Sequence, residues 1–181
     1  DRVKDGAAGA VAELKRLGVR KVVMLTGDGG SVAARVAQEV GLDGYFAELL
    51  PDEKVAQLER LEKDPERRGA VVFVGDGMND APVLMRSDVG FAMGGLGSDA
   101  AIEAADVVVM DDDIARVPLA IKISKHTRAV VLQNIALALT VKGAFIVLGT
   151  MGVADMWEAV IADVGVTLLA VLNSLRAARR R

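Results

Sequence analysis

The sequence predicts two successive architectures: an α/β region with a three-layer parallel sheet over residues 1–125, then a two-helix transmembrane hairpin over residues 126–181. Three observations carry this. Short β-branched runs alternate with helix-period segments as far as residue 110, the pattern of strand–helix–strand crossovers. Gly and Asp fall at the ends of those runs, where a parallel sheet presents its ligand loops. Finally, Ala129 to Met151 and Met156 to Leu175 are dominated by Ala, Val, Leu and Ile. Each is long enough to cross roughly 30 Å of hydrocarbon as a helix.

The elements follow in order. Ala7 to Leu17 has helical periodicity, KVVMLT (21–26) reads as a strand, and SVAARVAQEV (31–40) as a helix. A short extended GYFAEL precedes the helix DEKVAQLERLEK (52–63), introduced by Pro51. VVFVGD (71–76) is a buried strand, followed by a short helix, the strand VGFAM (89–93), another short helix from Ser98 and the strand DVVVM (106–110). No repeat or low-complexity segment interrupts the series.

Composition agrees with a membrane component. Of 181 residues, 52% are hydrophobic, and the mean hydropathy of +0.34 exceeds the soluble range. A net charge of -3 and 3% aromatics give no footprint for a nucleic-acid partner. The absence of cysteine excludes a disulfide framework and any thiolate metal site in this stretch. The start, DRVKDGAAGAVAELKRLG, lacks an initiator Met, a basic leader and an apolar core, so it is no signal peptide and reads as a cut edge.

In the apolar half, Lys122, Lys125 and Arg128 precede the first span, and Arg176, Arg179, Arg180 and Arg181 follow the second, whereas GTMGVAD between them has no Lys or Arg. The positive-inside rule puts both outer ends in the cytoplasm, with Trp157 at the opposite interface. A pair of buried helices in a soluble core is the alternative.

Lys142 and Asp163 lie within the spans, where a charge costs roughly 3 kcal/mol at the centre of a helix. They lie 13 and 12 residues inward from the cytoplasmic ends at Ala129 and Leu175. At about 1.5 Å per residue, that puts them at roughly the same depth. A carboxylate there can ligate a divalent cation, and the ammonium can balance its charge when the cation is absent. A static ion pair locking the hairpin is the other reading.

In the polar half, Asp76 falls at the end of a strand between two glycines, with Asp80 four residues on. Gly75 and Gly77 permit positive φ and close backbone approach. LTGD puts Thr26 at a strand end with Gly27 and Asp28 in the turn, a hydroxyl and backbone amides suited to phosphate oxygens. Lys54 opens a helix, where the dipole does not favour a cation. Phosphoryl transfer is catalysed mainly by positioning and by cations, and Thr26, Lys54 and a magnesium ion held by Asp76 and Asp80 would supply that set.

These residues carry a resemblance. MLTGD (24–28), ELLPDEKV (48–55), VGDGMNDAPVL (74–84), DVGFAMG (88–94), AADVVVM (104–110), QNIALALTVK and ADVGVTLLAVLNSLR make the chain similar to the heavy-metal-transporting P-type ATPases, over nearly its whole length. The resemblance implies the rear half of the phosphorylation domain and the last two membrane helices. That domain has a haloacid-dehalogenase-like, Rossmannoid parallel sheet, present here in part. By resemblance, Thr26 contacts the phosphoryl group, Lys54 compensates its charge, and Asp76 holds magnesium with Asn79 and Asp80 beside it. Gly27 and Asp28 stand on the nucleotide side of the cleft, and ATP would bind mostly on a domain absent from this chain.

The membrane residues resemble the zinc, cadmium and lead branch, with Lys142 in one helix and Asp163 in the next, within ADVGVT. The Tyr-Asn and Met-x-x-Ser-Ser motifs of copper pumps and the His-Glu-Gly of cobalt-type relatives are absent. One carboxylate with thiolates from elsewhere suits zinc or cadmium. His126 is expected at the cytoplasmic mouth as an interfacial residue. The implied setting is the plasma membrane, with the bilayer, the metal ion and the other domains of the same pump as partners.

The departures also matter. The chain has no Asp-Lys-Thr-Gly-Thr nucleophile motif, no Thr-Gly-Glu loop and no Cys-Pro-Cys helix, and Gly29 stands where the family commonly has Asn. Without the nucleophile no phosphoenzyme forms, so these residues alone are expected neither to hydrolyse ATP nor to pump. In the whole pump, the helix running from Ile114 would couple phosphoryl transfer to Asp163 and Lys142. The alternatives are a short non-catalytic membrane protein that binds magnesium or phosphate or regulates a full-length pump, and copper in place of zinc as substrate.

Overall fold

The computed structural model describes residues 3–75, 78–94 and 99–178. The chain divides into two compact units, Asp1–Leu119 and Ala120–Arg181.

The first unit alternates helices and parallel strands: α1 (Ala7–Arg16), β1 (Val23–Leu25), α2 (Gly30–Val40), β2 (Gly44–Phe46), α3 (Pro51–Glu62), β3 (Val72–Gly75), α4 (Ala81–Arg86), β4 (Val89–Met93), α5 (Asp99–Ala104) and β5 (Val107–Val109). A 3-10 turn, Met78–Asp80, leads into α4. β4 fills the run VGFAM (89–93) that announces it, whereas the first and last strands are shorter than theirs. In the two outermost runs, only Val23–Leu25 of 21–26 and Val107–Val109 of 106–110 are paired.

Helix boundaries follow local chemistry. Pro51 occupies the first turn of α3, and the Glu53 carboxylate accepts the Leu50 N–H at 2.8 Å, satisfying a donor that the helix leaves open. Gly41, at φ 79°, ends α2 in the left-handed conformation that glycine adopts without penalty.

Every ladder is parallel. β1 pairs with β2, with Met24 opposite Tyr45, while β4 lies between β3 and β5, with Val74 opposite Phe91 and Ala92 opposite Val108. The described strands therefore form two hydrogen-bonded groups, with no ladder joining β1 to β3. The core lies where α4 covers β4: Val83, Leu84 and Ala92 are buried, and Phe73, Ala104, Ala105 and Val108 pack against Leu84 and Ala92. This packing is close enough that a Cβ at Gly90 would lie 2.9 Å from the Leu84 carbonyl oxygen.

The second unit is built from α6 (Arg116–Thr150) and α7 (Met156–Ala178). The first helix is longer than the apolar span, since it begins 13 residues before Ala129 with the polar turns that carry Lys122, Lys125 and Arg128. Gly152, at φ 70°, turns the chain between the two helices. Only 6% of each apolar window is buried, and Leu139, Ile146, Ile161 and Leu168 are all more than 60% exposed. Within this chain they are thus not core helices of a soluble fold, and their length and composition suit a bilayer.

Candidate functional site

Parallel strands end on one edge, and the loops there carry the polar residues singled out in the sequence. At the end of β1, the Thr26 N–H donates to the Phe46 carbonyl at 2.9 Å, so the residue continues the ladder while its side chain enters the loop. The Thr26 hydroxyl oxygen accepts the Asp28 N–H at 3.1 Å. An oxygen that accepts from the backbone keeps its own proton for an outside acceptor, such as a phosphoryl oxygen.

The loop is closed from across the sheet. Leu49 N–H donates to the Thr26 carbonyl at 3.0 Å and Glu48 N–H to the Asp28 carbonyl at 2.9 Å. The Glu48 carboxylate also accepts the Gly30 N–H at 3.3 Å. Glu48 does this at φ 58°, a region costly for a residue with a Cβ. Sequence reasoning missed Glu48, because nothing in a Glu predicts a left-handed backbone. Gly27 and Asp28 are exposed at the tip of this loop.

The chain then passes directly from Leu49 to the start of α3, which brings Lys54 back to the same edge. Lys54 Nζ donates to Asp80 Oδ1 at 2.8 Å. The two side chains are only 18% and 13% exposed, so the pair is shielded from bulk water. The ion pair compensates for an ammonium in the first turns of a helix, where the dipole disfavours it. Since an ammonium has three donors, Lys54 can hold Asp80 and a phosphoryl oxygen together.

Asp80 is seated against the end of β3. A Cβ at Gly75 would lie 2.9 Å from Asp80 Cβ and 3.1 Å from its Oδ2, so glycine is needed there for close approach. Gly75 is not among the positive-φ residues, and steric room is therefore its reason for being glycine. Asn79 is exposed in the 3-10 turn beside Asp80. Asp76 and Gly77, also singled out by the sequence, lie outside the described residues, as does Ser98.

The residues present fit a magnesium ion. Asp80 offers a hard carboxylate at the strand end, in a notch kept open by a missing Cβ, and magnesium typically takes one or two protein carboxylates plus phosphate and water. Among the described residues, no group of three His, Cys, Asp or Glu side chains converges on a metal position.

Two networks brace the opposite edge, where the strands begin. Arg86 of α4 reaches α3, donating from Nε to Glu59 at 3.0 Å and pairing with Glu62 at 3.5 Å. Bonds from Lys63 and Arg86 hold the Glu59 carboxyl below the usual range. Under β1 and β2, Asp43 accepts from Lys15 at 2.7 Å and from the Val22 N–H at 2.8 Å, which lowers its pKa, chiefly through Lys15.

In the second unit, Lys142 Nζ lies 3.1 Å from Asp163 Oδ1, so the two charges read as sharing one depth do meet. Both remain exposed, at 60% and 53%, on the rim of a cleft of about 460 Å³ that Thr167 and Ser174 also line. A second polar group, absent from the reading of the motifs, ties the helices closer to their basic ends. Asn134 donates to Ser174 at 2.9 Å and to the Ala170 carbonyl at 3.2 Å, and Asn173 donates to Asn134 at 2.8 Å. Its signal in the sequence is amides at matching depths on two apolar segments. His126 is partly buried, and its Nε2 has no hydrogen-bond partner.

Comparison with known proteins fits both units. A family model for haloacid dehalogenase-like hydrolases matches residues 1–88. The chain is 58% identical over 179 residues to the zinc-transporting ATPase of Synechocystis sp., covering 99% of this chain and 25% of that protein. It is 54% identical to the cadmium, zinc and cobalt-transporting ATPase of Bacillus subtilis, covering 99% and 26%. Among solved structures, a zinc-transporting PIB-type ATPase in an E2.Pi state matches with a TM-score of 0.91 at 40% identity, over 99% of this chain and 28% of that one. A magnesium- and phosphate-bound 3-deoxy-D-manno-octulosonate 8-phosphate phosphatase from Moraxella catarrhalis matches at 0.54 and 17% identity, over 64% of this chain and 67% of that one, and shares the fold alone. The chain spans about a quarter of the length of the curated relatives it matches. With a haloacid dehalogenase-like unit, two membrane-length helices and similarity along nearly its whole length, the chain corresponds to a segment of the P-type ATPases named for zinc and cadmium transport.

Proposed function

We propose that this chain is part of an ATP-driven exporter of divalent soft metal ions that works through an aspartyl phosphate. The observation that carries the reading is the presence, in one chain, of a shielded Lys54–Asp80 pair and a Lys142–Asp163 pair between two apolar helices. The first suits phosphoryl chemistry and the second a cation within a membrane.

In this reading, the Thr26 hydroxyl donates to an oxygen of the phosphoryl group, and the backbone amides near Gly27 and Asp28 face the nucleotide side. Lys54 neutralises charge on the transferring group while remaining bonded to Asp80. Asp80 and Asp76 would hold magnesium, with Asn79 adjoining Asp80 in the chain; when bound, the ion would supply positive charge against the phosphoryl group. The nucleophilic Asp and most of the ATP site belong to parts of the pump outside these residues, so this segment alone is inactive.

In the membrane, Asp163 ligates the transported ion, and Lys142 takes over the carboxylate when the ion leaves. The names of the relatives support zinc and cadmium, and that of the Bacillus subtilis protein includes cobalt. Lead belongs to the same class of soft divalent ions. The basic residues flanking both helices support placing both ends on the cytoplasmic side of the plasma membrane.

The test is Asp163→Ala in the full-length pump. Zinc-stimulated ATP hydrolysis should disappear, while phosphorylation of the enzyme by inorganic phosphate persists. Unchanged zinc stimulation would overturn the assignment.

A further inference from the structure

The faces by which α6 and α7 meet are legible from burial. From Lys122 onward, the positions of α6 that are not exposed are His126, Val130, Asn134, Ala138, Val141 and Phe145, three or four residues apart. On α7 they are Ala159, Ala162, Gly165, Val166, Ala170, Asn173 and Ala177, mostly three or four residues apart. Antiparallel helices match each turn forward on one with a turn back on the other, and these stripes do so.

Apart from the asparagines, the seam of α7 is Ala, Gly and Val. Such a seam packs closely but specifies position poorly, because a shift of one turn sets another small residue against the same neighbour. A polar pair in an apolar seam behaves differently, since slippage leaves its hydrogen bonds unmade in hydrocarbon. The hairpin has two such ties: Lys142–Asp163 and the group formed by Asn134, Asn173, Ser174 and the Ala170 carbonyl. If Asp163 binds a cation, as proposed above, the first tie is broken in each cycle. The second uses only neutral groups and does not compete for the ion.

We infer that Asn134 and Asn173 form a register clamp that holds α6 against α7 when the Lys142–Asp163 pair is open, keeping the two charges opposite one another. They are positioning residues and need not touch the ion. A slip of one turn would displace Lys142 from Asp163 by about 5.4 Å, enough to separate the pair.

Cross-linking tests this without relying on transport, so its outcome is independent of the substrate assignment. These 181 residues contain no cysteine, so an introduced pair provides their only thiols. Val141→Cys with Val166→Cys reports the native register, because both side chains line one groove between the helices. Val141→Cys with Ala162→Cys or Ala170→Cys reports a slip of one turn. The chain is reconstituted in lipid vesicles and treated with a short bis-thiol reagent.

In a Lys142→Met background, which opens the ion pair, the native cross-link should keep its yield within about twofold. Adding Asn134→Leu should reduce that yield roughly tenfold and raise a slipped product. The inference is overturned if Lys142→Met alone shifts the register, or if the double variant cross-links natively. Loss of every cross-link would also overturn it, since the asparagines would then hold the helices together and not in register.

Discussion

The two units each rely on a lysine–aspartate pair of similar length, 2.8 Å for Lys54–Asp80 and 3.1 Å for Lys142–Asp163, yet the pairs differ in how they are held. Lys54 and Asp80 are less than one-fifth exposed, fixed by a Pro-initiated helix and by a strand end that only glycine lets them approach. Lys142 and Asp163 are more than half exposed, and only the alignment of two helices holds them. A charge locked into a packed site can orient a reacting group at little further cost, whereas a charge on an adjustable seam can exchange its partner for an ion. The same two residue types thus suit a fixed chemical site in one unit and a movable ligand site in the other.

Removing each aspartate should separate these roles. Asp80→Ala takes away the proposed magnesium ligand and leaves Lys54 shielded without its partner, so in the full-length pump ATP hydrolysis should fall by roughly 100-fold or more. Phosphorylation by ATP and by inorganic phosphate should be lost together. Asp163→Ala should spare the latter, as above. If Asp80→Ala retains phosphorylation by phosphate, the two pairs are not divided between chemistry and transport in this way.

A second contrast is in tolerance of added volume. In the first unit, a Cβ at Gly90 would lie 2.9 Å from the Leu84 carbonyl, a backbone atom held by α4. Gly90→Ala should therefore destabilise this unit by about 3 kcal/mol, read as faster amide exchange in β3, β4 and β5. Gly143 and Gly165 in the hairpin have nothing within 4 Å of such a Cβ. Alanine at either should leave exchange in this chain nearly unchanged.

What the sequence disclosed follows the same division. Helix and strand order was legible, because β-branched runs, Gly and Pro act locally, and the paired charges of the hairpin could be aligned by counting residues along two straight helices. The partner of Lys54 was not legible: 26 residues separate it from Asp80, and both sat in the magnesium and phosphoryl set without being joined. The strained turn at Glu48 was also hidden, since its backbone is imposed by bonds to Asp28 and Gly30 across the loop. The amide clamp went unread for a related reason. Asn134 and Asn173 make sense only when the two helices are laid side by side.

The weakest of these effects should be electrostatic, at Asp43. Its carboxylate joins Lys15 of α1 to the Val22 N–H at the entrance to β1, and these bonds lower its pKa below the usual carboxylate value. Because the folded-state pKa is depressed, the unfolded chain binds the proton more readily. The stabilisation is therefore complete above the unfolded pKa of about 4 and is lost as pH falls through the folded value. Both side chains are about a third exposed, so solvent and salt screening limit the gain to roughly 0.5 kcal/mol. Asp43→Asn should accordingly speed exchange of the β1 and β2 amides at neutral pH by about twofold, with the difference shrinking in high salt. Below the folded pKa, wild type and variant should converge, because both then carry a neutral acceptor for Val22. A difference that persisted in acid would mean that Asp43 acts by shape and hydrogen bonding alone. The lysine contact would then contribute nothing.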